Sequence, residues 1–102
     1  MIINPKEVKN LKNNINKLYM IDEILNTYPE VDFLLADGFD DAVIGVAIDF
    51  TEYKLIYSVS KCLDILEKTM NEEEAMEFFT YNVSGAYVGP KTPIWCWDTI
   101  NR

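Results

Sequence analysis

Seventeen carboxylates are the most abundant chemistry in this sequence, and two stretches concentrate them. The first is Asp37-Gly38-Phe39-Asp40-Asp41, with Asp32 upstream and Asp49 downstream, dense enough in hard oxygen ligands to suggest a divalent cation. Its spacing is not that of an EF-hand loop, and Asp with Gly is also what any tight turn prefers. The readings are therefore a structural turn, an acidic recognition surface and, last, a carboxylate-held catalytic metal. The second stretch, Glu72, Glu73, Glu74 and Glu77, makes an acidic ridge that Asp64 and Glu67 extend if their helices are neighbours. Its plain meaning is a solvated helix face. Its sharper meaning is a row of fixed carboxylates that imitates a phosphate backbone and binds a basic protein in a salt-sensitive way.

Other chemistry is thin. There is no histidine, which removes the commonest general base, the commonest metal ligand and every Ser-His or Cys-His nucleophile pair. Cys62 and Cys96 form no CxxC motif and read as reduced core residues, although a disulfide between them is conceivable. Gly85 to Thr92 resembles a phosphate loop ending in Lys-Thr, but its glycines are one residue too close. Pro90 removes a backbone donor beside Lys91, and no helix opens after it. Asn82-Val83-Ser84 matches a glycosylation acceptor, a chemistry that needs a secretory route the chain does not advertise. Trp95 and Trp97, with Tyr87, Phe39 and Tyr53, offer more aromatic surface than one small core needs. Strand alternation puts both tryptophans on one face, either as a cap on the core or as an anchor for a partner.

These residues must be positioned by one domain, because 102 residues is one domain's worth of chain. Hydrophobic residues at 49% and charged residues at 25% describe a globular chain able to bury a core, not a disordered one. The net charge is −8, which disfavours nucleic acid or an anionic membrane as a direct partner and suits a basic protein. Residues 1–20 hold four Lys and one Glu, +3, whereas residues 21–102 hold five basic and sixteen acidic groups, −11. No apolar run approaches the ~20 residues of a membrane helix.

Asn4-Pro5-Lys6-Glu7 reads as a helix start, and Val8, Leu11, Ile15, Leu18, Ile21, Leu25 and Tyr28 form one stripe that Pro29 ends. The Lys- and Asn-rich opposite faces are a mediocre helix composition, so the first turns fray or form a separate helix. After the 31–36 segment, β-rich 42–50 and 54–57 predict an antiparallel pair. Ser58 or Ser60 caps a helix with an inward stripe of Val59, Cys62, Leu63, Leu66 and Met70. Asn71 to Glu74 has the form of a capping box. It starts a helix whose inward residues are Ala75, Met76, Phe78, Phe79 and Val83, with Gly85 as its stop. Ile94-Trp95-Cys96-Trp97 predicts the last strand.

Leu35-Ala-Asp-Gly-Phe-Asp-Asp-Ala42, Tyr57-Ser-Val-Ser-Lys-Cys62, Tyr81-Asn-Val-Ser-Gly-Ala-Tyr-Val-Gly89 and Thr92-Pro-Ile94 resemble segments of a family of small acidic bacteriophage and prophage proteins, mostly uncharacterised. The likeness spans roughly residues 20–97 and carries no catalytic residue. It implies a phage–host setting in which small acidic proteins inhibit host machinery, as anti-restriction and anti-CRISPR proteins do, some by mimicking DNA.

The expected fold is a single α+β domain over 1–102, with an N-terminal helical segment at 1–28 and an α+β body at 31–102. In the body, a small antiparallel sheet of three to four strands packs against two to three helices. The expected function is non-enzymatic binding of a host protein with a basic surface, in the bacterial cytoplasm, without cofactor, direct nucleic acid or membrane. The contact residues would be Asp37, Asp40, Asp41, Glu72, Glu73, Glu74, Glu77, Trp95 and Trp97. The alternatives are a self-associating module, dimerised through the N-terminal stripe, and an enzyme using a metal on Asp37, Asp40 and Asp41.

Overall fold

The computed structural model describes residues 2–3 and 20–99. The short strand β1 (Ile2–Ile3) pairs antiparallel with β2 (Leu35–Ala36), and helix α1 (Met20–Thr27) lies between them in sequence. Most of the stripe expected from Val8 onward lies outside the described residues. In α1, Ile21 and Ile24 are buried at i and i+3, and Asp22 and Glu23 occupy the first turn, where the helix dipole favours negative charge. The Tyr28 N–H still reaches the Ile24 carbonyl at 3.0 Å, after which Pro29 ends the pattern.

A three-residue 3₁₀ turn (Asp40–Ala42) leads into β3 (Val43–Asp49), which pairs antiparallel with β4 (Glu52–Ser58). The pairing slips between Val43 and Gly45, so Ile44 is an extra residue on β3, a β-bulge. Helix α2 (Val59–Leu66) follows directly. Ser58 caps it, its hydroxyl accepting from the Lys61 N–H at 3.1 Å, and Val59, Cys62 and Leu63 turn inward. Helix α3 (Glu72–Phe78) begins in the expected capping box: the Asn71 side chain accepts from the Glu74 N–H at 2.8 Å, and the Glu74 carboxylate accepts from the Asn71 N–H at 3.1 Å. Such a cap contributes about 1 kcal/mol. A wider π-helical segment (Phe79–Ser84) continues α3 and stops at Gly85, where a Cβ would stand 3.1 Å from the Thr80 carbonyl oxygen.

The last strand, β5 (Ile94–Cys96), lies beside β4 but runs parallel to it, so the sheet order is β3-β4-β5 and the sheet is mixed, not wholly antiparallel as expected. The reason is the connection. Helices α2 and α3 and the π-helical segment separate β4 from β5, and a helical crossover is what parallel neighbours require.

The α+β class and the two pairings, β3 with β4 and β4 with β5, place one core between sheet and helices. Tyr57, Leu55, Phe79, Val83, Phe33 and Ile21 are among its fully buried residues. Phe79 meets Trp95 edge-on at 5.4 Å and Trp97 at 5.7 Å, while Trp95 also leans on Tyr57 at 5.1 Å. Of the residues expected to face inward from α3, Ala75, Phe79 and Val83 are buried and Phe78 is half-buried. Met76 is exposed, one position off the 75–79–83 stripe. No described helix is long and apolar enough to cross a membrane.

Candidate functional site

The α3 helix and its π-helical continuation present two different faces. Ala75, Phe79 and Val83 point into the core. Glu74, Glu77, Phe78, Tyr81 and Asn82 follow at i, i+3, i+4, i+7 and i+8, the spacing that keeps one helical face in line. The turn after α2, closed by the Met70 N–H on the Leu66 carbonyl at 3.1 Å, brings Met70 to the same place. These six residues line an open groove of about 390 Å³.

The groove is half polar by design of its helix. Two carboxylates stand among a thioether, a phenyl ring and a phenol, and Tyr81 keeps 81% of its surface free. One Glu74 oxygen is taken by the Asn71 N–H, so this side chain holds the helix start while its charge faces the groove. A lysine or arginine side chain matches such a lining, because its head pairs with carboxylates and its stem and charge lie well on aromatic faces. Glu72 and Glu73 sit exposed in the first turn of α3, outside the groove lining.

The Asp37–Asp41 stretch is built as a turn. Gly38 takes φ +91°, the Phe39 N–H donates to the Ala36 carbonyl at 3.1 Å, and the Ala42 N–H donates to the Phe39 carbonyl at 2.9 Å. Phe39 is only 3% exposed, so its ring pins the turn to the core while Asp37 and Asp41 point to solvent. Asp40 is half-buried, and its charge adds to the burial that lifts the Tyr57 hydroxyl well above the usual phenol range. That buried hydroxyl accepts from the Ala36 N–H at 2.8 Å, which ties β2 to β4. Among the described residues, no three His, Cys, Asp or Glu side chains converge as metal ligands.

The two tryptophans share the Phe79 ring, so they lie together as alternation requires, but their surroundings differ. Trp95 is half-buried between Tyr57 and Phe79, whereas Trp97 leaves 50% of its surface free. Neither lines the groove. Both cysteines are free thiols: Cys62 is buried, and burial, with the Asp98 charge second, pushes its pKa up to about 12, so it stays protonated and inert. The Gly85–Thr92 stretch is a turn, closed by the Thr92 N–H on the Gly89 carbonyl at 3.1 Å, and it leads to β5.

Three features lie outside the sequence-derived site. The groove adds Met70, Phe78, Tyr81 and Asn82 to the acidic ridge, and continuing the i, i+3, i+4 steps from Glu74 would have found the last three. Asp98 accepts from the Ser58 hydroxyl at 2.6 Å and from the Ser60 N–H at 2.9 Å, closing the start of α2 from 38 residues away. These two hydrogen bonds, the serine hydroxyl's first, hold its carboxyl below the usual range. Phe50 stands at the tip of the β3–β4 hairpin, 97% exposed. Comparison with family models, with curated proteins and with solved structures finds no match for this chain.

Proposed function

We propose that this chain is a non-enzymatic binding protein that recognises a basic surface on another protein and seats a lysine or arginine side chain in the α3 groove. The observation that carries this reading is the convergence of Glu74 and Glu77 with Phe78 and Tyr81 on one groove. Each such contact is worth only about 0.5–1 kcal/mol at an exposed site. Useful affinity therefore needs several together, and Glu72, Glu73 and the net charge of −8 add attraction at longer range. In the setting that the resemblance to small phage proteins implies, the partner is a host nucleic-acid-binding or defence protein and binding inhibits it.

The test is affinity capture from a bacterial lysate, washed at low and then high salt, with the Glu77→Lys, Tyr81→Ala double variant in parallel. A basic nucleic-acid-binding protein, released by salt and not captured by the variant, is the expected result. Equal capture by the variant, or retention that ignores salt, refutes the reading.

A further inference from the structure

The β3–β4 hairpin closes on the pair Asp49 and Glu52, leaving a loop of two residues, Phe50 and Thr51. Phe50 has φ +56°, a left-handed conformation, and it is the one described residue besides glycine with positive φ. A positive φ at the first loop position alone is the sign pattern of a II′ turn, whose usual occupant there is glycine. A phenyl ring gains nothing in exchange from its own fold, since Phe50 is 97% exposed. The closing pair breaks a second local rule. Asp49 and Glu52 are like charges directly opposite each other, offset in part by Lys54, whose Nζ lies 3.6 Å from the Asp49 carboxylate. Ile48, also on the tip, is 55% exposed.

Local violations that do not help the fold collect at functional sites. We infer that the hairpin tip is an aromatic anchor, which inserts Phe50 into an apolar pocket of a partner protein whose rim carries Lys or Arg. The ring calls for the apolar pocket, and Asp49 and Glu52 call for the cationic rim. A second copy of this chain is a poor host, because its groove carries Glu74 and Glu77 and would set four carboxylates against each other. An anionic membrane meets the same two acids at the tip. This inference stands on the hairpin alone and survives if the α3 groove binds nothing.

The test uses an amino-substituted β-cyclodextrin, an apolar cavity with an ammonium rim, beside neutral β-cyclodextrin, with NMR mapping on the full chain. The amino host is expected to bind at least ~10-fold more tightly, with shifts centred on Phe50. Phe50→Gly and Phe50→Asn, both suited to positive φ, are expected to abolish that binding and to raise Tm by a few degrees. Phe50→Trp keeps the binding. A fall in Tm for both loop variants would show that the ring serves its own fold and overturns the inference. So would equal affinity for the two hosts, shifts centred on 72–82, Phe50-dependent self-association, or Phe50-dependent capture on anionic vesicles.

Discussion

Two turns of this molecule carry a phenylalanine among acids, and they treat it in opposite ways. In Asp37-Gly38-Phe39-Asp40 the glycine takes the positive φ, at +91°, and the adjacent ring is free to turn into the core, where it is 3% exposed. In Asp49-Phe50-Thr51-Glu52 there is no glycine, so the phenylalanine takes the positive φ itself and its ring stands in solvent. A turn's acids therefore say little about its role until the residue bearing the backbone cost is known. Where glycine bears it, the aromatic stabilises the fold. Where the aromatic bears it, the fold is slightly worse off and the surface gains a protruding ring.

The two phenylalanines should differ most when they are removed. Phe39→Ala is expected to cost about 3–5 kcal/mol, measured as a loss of urea midpoint, because a buried ring leaves a cavity. A cost similar to that of removing the exposed ring at 50 would erase the contrast. Gly38→Ala is expected to cost about 1–2 kcal/mol. Nothing lies within 4 Å of the added Cβ, so the cost is purely that of the backbone, and Gly38→Asn should recover much of it. Its mirror is Phe50→Gly, which gains stability where Gly38→Ala loses it.

A third carboxylate site sharpens the point that an acid's role depends on its partners. Asp98 is held below the ordinary carboxylate range by the Ser58 hydroxyl and the Ser60 N–H. A depressed folded-state pKa means stability that is fully present above the unfolded value, near ~4, and lost as pH falls through the lower folded value. Because Asp98 is exposed, solvent reduces the effect to about 1 kcal/mol or less. Asp98→Asn is therefore expected to lower the urea midpoint modestly at neutral pH, with the gap to the parent closing in acid below the carboxylate range. A gap that persists in acid would assign the effect to packing instead of charge.

Much of the fold was legible because it is encoded within a few residues. Asn71 caps its helix where its type and spacing said it would, and Ser58 is the one of the two candidate serines that caps the other. The two β-rich runs pair as expected, although the loop is Phe50 and Thr51 and not 51–53. The capping box at Asn71 and Glu74 needs no information from beyond its own turn. The groove was legible in part. Glu74 and Glu77 were named from sequence, but Phe78 was assigned wholly to the core and Tyr81 to no site, because the helical steps were followed along the buried face and not onward from Glu74 along the outer one. The Trp95 and Trp97 pair was placed on one face by alternation and shares the Phe79 ring, yet Trp95 is the better covered because Tyr57 on the neighbouring strand β4 also packs against it.

The caps at Ser58 and Asn71, the β3–β4 pairing, the α+β class and the acidic balance all follow from interactions between near neighbours or from composition. The parallel direction of β5, the reach of Asp98 to the start of α2, the lining of the groove and the opposite fates of Phe39 and Phe50 were settled by packing. These depend on contacts between residues far apart in the chain. Side-chain type biases such contacts only weakly, and the packing of the whole core selects among them.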